Sequence, residues 1–286
     1  MKDLSTILLN YFFLCAAILL AGTGTVKASE IKVCKTCPVS TVAAALKQAK
    51  PHDRILVQTG TYNESGLVID KPLSLIGIKN PVIDGRNSGE IMRVTSSHVT
   101  IDGFTFKNVE TSYMKDNAAI RVFESTHVFI TNNSVFDAFF GIYLQNSDSC
   151  LIKGNTVKGQ SKMESSSGNA IHLWYCNNVR IENNYLSGHR DGIYLEFVKE
   201  SQIHHNLSEK NLRYGLHFMF SDGNVYTHNT FRKNGAGVAV MYTKNIRMEH
   251  NRFEHNWGSA AYVFLLKEIS KSTNSNKHFV HNTICI

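Results

Sequence analysis

Beyond its first 28 residues, this 286-residue chain has no stretch long and apolar enough to cross a bilayer, which takes about 20 apolar residues. The one long apolar run, residues 7–21, covers about 15 residues, follows Lys2 and leads into Val26-Lys27-Ala28, a small-x-small pattern. It reads as a signal peptide over residues 1–28, cleaved after Ala28, which implies a periplasmic mature chain over residues 29–286. Carboxylates are also scarce: 23 Asp and Glu face 30 Lys and Arg, for a net charge of +7. Losing Lys2, Lys27 and Asp3 with the signal leaves about +6. Export argues against nucleic acid as the partner of that charge. Five cysteines remain after cleavage, an odd number that argues against a complete disulfide framework. Cys34 and Cys37 form a C-x-x-C pair open to three readings: disulfide, redox pair or metal ligands. Cys150 and Cys176 read as buried small hydrophobes.

Helical periodicity is nearly absent too. Only TVAAALKQA, residues 41–49, carries an apolar face at 3.6 spacing. What the chain has instead is an internal repeat. AIRVF, GIYLQ, AIHLW, GIYLE, GLHFM and GVAVM begin at Ala119, Gly141, Ala170, Gly192, Gly215 and Gly237, at steps of 22, 29, 22, 23 and 22 residues. Asn133, Asn155, Asn184, Asn206, Asn229 and Asn251 keep the same steps, with Ile130, Ile152, Ile181, Ile203, Tyr226 and Met248 three places before them. The step of 29 holds a Ser/Gly-rich loop, KMESSSGN, residues 162–169. Two alternating segments per 22–23 residues exclude a helical repeat and predict an all-β fold, a right-handed single-stranded parallel β-helix. Gly or Ala before each first strand fits a tight corner. The Asn positions fit a second, left-handed corner and a coil-to-coil hydrogen-bonded ladder. The 41–49 helix is expected to cap the first coil, and RILVQTG, GLVIDKP, LSLIG, PVIDG, EIMRV and VTIDGFTF to form less regular early coils. After Leu266 the spacing degrades into KEISKSTNSNK, and the chain stops at HNTICI without a cap, so a C-terminally truncated solenoid is expected.

Carboxylate pairs, which glycoside hydrolysis needs, are missing as well. Glu182 and Glu249 share a repeat position, but His204 and Thr227 lie between them, which at strand spacing is roughly 14 Å. No Asp cluster has calcium-loop spacing. A polysaccharide-active lyase or hydrolase is the alternative function, and the primary expectation is a non-enzyme.

Histidine and methionine, by contrast, are abundant: 13 His and, after cleavage, six Met. Strand alternation places the pairs His172/Trp174, Tyr194/Glu196, His217/Met219 and Ala239/Met241 on the outward face of four adjacent coils. His205, His228 and His250 form a second column, open to a corner role or to a row of imidazoles. Thioether and imidazole together suit Cu(I). The candidate copper ligands are therefore Cys34, Cys37, His172, His217, Met219, Met241, His205, His228 and His250, with copper bound transiently.

The segments HRDGIYLEF, LRYGLHFMFSD and GAGVAVMYT, within a similar stretch from Gly168 to Leu266, resemble the NosD family of periplasmic maturation proteins for nitrous-oxide reductase. Members read a glycine near Val263 and continue for several coils; VFLLKEISKSTNSNK departs from that. The resemblance implies copper-centre assembly with an ABC-type membrane complex (NosF and NosY), a copper chaperone (NosL) and nitrous-oxide reductase as client. It also implies contact with the membrane only through the complex, and no enzymatic activity of the chain itself.

Overall fold

The computed structural model describes residues 28–112, 114–256 and 263–282. Residues 1–27, on which the expected signal peptide falls, and the last four residues, on which the expected uncapped end falls, lie outside the described residues. Among the described residues no helix is long and apolar enough to cross a membrane.

The backbone winds as a parallel solenoid with three faces. Among the described residues sheet A has eleven strands, sheet B ten and sheet C nine, each inner strand pairing with its equivalent in the coils before and after. One coil shows the plan: Arg180–Glu182 in sheet A, Tyr185–Ser187 in sheet B, then Asp191–Glu196 in sheet C. From Thr100 onward the A and B strands of each described coil are three residues long because only one residue of each must point inward. From sheet A the inward column runs Ile101, Ile130, Ile152, Ile181, Ile203, Tyr226 and Met248, all essentially buried. Each such side chain contributes roughly 1.5–3 kcal/mol of transfer free energy, so the six-place repeat seen in the sequence is the core itself.

The corners explain the rest of the repeat. A Cβ on Gly141 would meet the Ala170 carbonyl oxygen at 2.5 Å, so the small residue at this position is a steric requirement of coil stacking. The Asn column forms the expected ladder: Asn206 Nδ2 donates to Asn229 Oδ1 at 2.9 Å, and its own Oδ1 accepts from the Asn184 backbone N–H at 3.0 Å. The left-handed residue, however, is the one before each ladder Asn. Asn132, Asn183, His205, His228 and His250 have φ between 54° and 57°. This corrects the expectation that the ladder Asn itself takes that conformation. A second ladder, Asn211–Asn234–Asn256–Asn282, turns the corner between sheets B and C.

At the N-terminal end the helix α1, Val42–Gln48, covers the first coil with Val42, Ala45 and Leu46 buried. Thr41 Oγ1 accepts from the Ala44 N–H, and the Glu64 carboxylate accepts from Val42 and Ala43, both at 2.8 Å. Three of the helix's unpaired N–H groups are satisfied in this way. The early segments pair in register as expected, Arg54–Val57 with Ser74–Gly77 and Leu67–Ile69 with Met92–Val94. The region after Leu266 also stays in register. Phe264–Ser270 continues sheet C, and Thr273–Ser275 continues sheet A with Asn274 in the inward column below Met248. The sequence rhythm is lost there because a polar residue occupies a core place, and because the coil from Met248 to Asn274 spans 26 residues.

Candidate functional site

The outward faces of the three sheets differ in chemistry. Sheet A presents residues such as Arg180/Glu182 and Gln202/His204, and sheet B Thr156/Lys158 and Thr230/Arg232. These are ordinary solvated strand residues. Sheet C presents two columns of another kind. One runs Arg121, Tyr143, His172, Tyr194, His217 and Ala239; its neighbour runs Gln145, Trp174, Glu196, Met219 and Met241.

From Tyr143 to His217 the first column is a continuous run of ring contacts, stacked at Tyr143–His172 and edge-on at the next two. Tyr143 and His172 lie 4.5 Å apart, His172 and Tyr194 4.9 Å, and Tyr194 and His217 4.8 Å between centroids. His172 and His217 do sit on the outward side of their strands, as alternation requires, but His172 is half-buried and His217 buried. His217 is only 4 % exposed, and burial, reinforced by the Arg190 charge, pushes the His172 imidazole down to about 3. The expectation of an open imidazole face is corrected here. The aromatic neighbours in the stack, together with Phe140 beside His172 and Tyr214 beside His217, close over the two rings. His172 Nδ1 lies 3.1 Å from the Asn169 side-chain amide. Asp191, fully buried, accepts from the Tyr214 N–H at 3.2 Å and lies 3.8 Å from His217 Nδ1.

In the second column, register sets Met219 directly beside Met241 on adjoining coils. Both are half-buried, and the Tyr194 hydroxyl donates to Met219 Sδ at 3.6 Å. Two flexible thioethers about one strand spacing apart can close on a soft cation without backbone movement.

The other candidates stand apart from this pair. His205, His228 and His250 form an exposed stack at the corner between sheets A and B, with centroids 5.0 and 4.8 Å apart. Burial, then the charges of His250 and His205, lower the His228 pKa. Two imidazole nitrogens on one ion lie at most about 4.2 Å apart for bonds of about 2.1 Å, so rings stacked in this way do not share a metal. Cys34 and Cys37 are joined as a disulfide in the first coil, which removes both thiolates as ligands in this state. The nine candidates thus fall into three separate places. Among the described residues no group of three or more His, Cys, Asp or Glu could hold a metal ion. Cys150 and Cys176 are free and buried, and burial pushes their thiols up to about 11 and about 12.

One feature escaped the sequence reading. Tyr175, Phe197, Phe220 and Tyr242 stack at 4.5, 5.3 and 5.1 Å along the corner beside the methionine column. All four are left-handed, with φ from 51° to 54°, and Tyr175 and Phe220 are 48 % and 40 % exposed. Bulky residues are uncommon in that conformation. The signal was available: each directly follows one of the small-aliphatic repeat segments.

The family model for the right handed beta helix region matches residues 16–162 and 118–284. Two curated relatives are named probable ABC transporter binding protein NosD. The one from Pseudomonas aeruginosa is 29% identical over 127 residues, 44% of this chain and 30% of that protein. The one from Stutzerimonas stutzeri is 25% identical over 147 residues, 51% of this chain and 34% of that protein. The alignments span about a third of the length of these relatives. Among solved structures, the polygalacturonase from Erwinia carotovora aligns over 91% of this chain and 97% of its own, with a TM-score of 0.61 and 11% identity. At that identity the likeness speaks for the fold alone.

Proposed function

The chain belongs to the right-handed β-helix family and is NosD-like within it, and from that premise we propose that it serves copper-centre assembly in nitrous-oxide reductase. In this reading the solenoid docks to an ABC-type membrane complex of the NosF and NosY kind. It accepts Cu(I) from a chaperone of the NosL kind and presents it to the reductase in the periplasm. Copper is cargo, held briefly, and the chain itself catalyses nothing.

The proposal is carried by sheet C, where Met219 and Met241 meet in register on an outward face otherwise rich in aromatic rings and imidazoles. Thioether sulfur favours Cu(I) over the harder cations that carboxylates would take. The neighbouring imidazoles act differently. Desolvation keeps His172 neutral, and its stack with Tyr143 and Tyr194 fixes the wall behind the methionines. In the methionine column itself Glu196 lies beside Met219 and Lys267 beside Met241, one charge of each sign. Two weak ligands also release their ion readily, as a carrier must.

The test is an anaerobic competition titration of the full chain against a chromophoric Cu(I) chelator. We expect one Cu(I) per chain, with affinity reduced at least tenfold in Met219→Leu/Met241→Leu and unchanged in His205→Gln/His228→Gln/His250→Gln. Equal binding by the methionine variant would overturn the assignment.

A further inference from the structure

We propose that a cleft at the corner between sheets B and C, away from the methionine pair, binds a neutral oligosaccharide. The argument starts from coil length. Register equates Ile101 with Ile130, Ile130 with Ile152, and Ile152 with Ile181, so the coils are 29, 22 and 29 residues long in turn. Both surplus segments fall at the same corner. One lies between Lys107 and Ala118, the other between Lys158 and Asn169. The coil between them needs only three residues to pass from Phe136 to Phe140, so the fold does not require the extra length. The two insertions wall a cleft of about 450 Å³, within the roughly 300–1,000 Å³ typical of small-ligand sites.

The lining has its own chemistry. The chain carries 30 Lys and Arg, yet among the described residues no lysine, arginine or histidine lines the cleft, and its single ionisable group is Asp137. The amides of Asn87, Asn108 and Gln160 line the cleft with Ser161, and Phe139 adds an apolar residue. Gln160 Nε2 donates to Asp137 Oδ1 at 2.9 Å, which joins the inserted loop to the corner as a carboxylate–amide pair. Asn108 Nδ2 donates to Asp84 at 2.8 Å, which leaves its carbonyl oxygen to accept. Phe139 is half-buried and held edge-on by Phe140, with centroids 5.0 Å apart at 83°.

A carboxylate and several amides within one cleft offer acceptors and donors together, as neighbouring hydroxyls require, because each hydroxyl both donates and accepts. An aromatic ring alongside takes the C–H face of a pyranose. With one anion and no cation in the wall, a uronate or other acidic sugar would meet repulsion and no counter-charge. The ligand class is therefore a neutral glycan.

The full chain would be probed by saturation-transfer NMR and calorimetry with chitotetraose, cellotetraose, maltotetraose and tetragalacturonate. At least one neutral tetrasaccharide is expected to bind, and tetragalacturonate not to bind. Gln160→Ala, on the exposed loop, and Asp137→Asn, which keeps an αL-tolerant residue, should each weaken binding about tenfold, the size of a lost hydrogen bond to a charged partner. The melting temperature and the Cu(I) titration should not change. Absence of binding by every neutral probe, equal binding of tetragalacturonate, or affinity unmoved by both substitutions would overturn the proposal.

Discussion

Asn206→Ala tests the claim that the Asn ladder, and not strand pairing alone, fixes the stacking of coils. Asn206 is 2 % exposed. Its Oδ1 accepts from the Asn184 N–H at 3.0 Å and from Asn184 Nδ2 at 2.9 Å. Its Nδ2 donates to the Ile181 carbonyl and to Asn229 Oδ1, both at 2.9 Å. Nδ2 also donates to the His204 carbonyl at 3.0 Å, so truncation leaves one buried backbone donor without its partner and four further groups each one bond short. A stranded buried donor costs about 1–3 kcal/mol, and each lost neutral bond adds about 1 kcal/mol or less where another partner remains. The expected loss is about 3 kcal/mol. In a solenoid that loss stays near its origin, because each coil contacts only its neighbours. Native-state hydrogen exchange read by mass spectrometry is the assay. Amides in the coils around Asn184, Asn206 and Asn229 should exchange roughly a hundredfold faster, at about 1.4 kcal/mol per decade, while Ser74–Gly77 and Val82–Asp84 should be unchanged. A uniform rise along the chain, or no rise at Asn184, would refute the reasoning.

Other outcomes follow from the same geometry. Gly192→Ala places a methyl against Ser208 Oγ and 2.7 Å from the Gly215 carbonyl oxygen, and should lower stability by about 1–3 kcal/mol in thermal melts. The His172 pKa of about 3 in the folded chain lies below its ordinary value of 6.5, so the unfolded chain binds the extra proton between those limits. Its contribution to stability is whole above pH 6.5 and is lost as pH falls towards 3. His172→Phe, which keeps an aromatic ring, should lessen the fall of the melting temperature in that window, with His189, which burial holds down to about 4, supplying part of the remainder. Cys34→Ser/Cys37→Ser opens a very short loop, its cysteines only 3 residues apart, and should cost at most about 2 kcal/mol with no change in Cu(I) stoichiometry.

The repeat was legible because one inward residue per sheet A strand recurs at the coil length, and burial punishes any departure from it. Ile130, Ile152 and Ile181 show the rhythm in the sequence and line the core in the structure. Where Asn274 takes an inward place, the rhythm fails although the coil continues. Parity along the sheet C strands was legible too, but not exposure. Whether His217 meets solvent depends on Tyr214 and Tyr194 closing over it, and on no local pattern. The C-x-x-C motif left its chemistry open, and the disulfide closes it to metal in this state. The left-handed corner was placed one residue late because Asn suits both the ladder and the turn, and Asn132-Asn133 and Asn183-Asn184 supply both in succession.

X-ray absorption at the copper edge of the full chain, loaded anaerobically with one equivalent of Cu(I), tests the central claim most directly. The buried, protonated thiols of Cys150 and Cys176 are poor competitors for the ion. Sulfur scattering should dominate the first shell in the native chain and vanish in Met219→Leu/Met241→Leu. A first shell of nitrogen and oxygen only, or sulfur scattering that persists in that variant, would contradict the account.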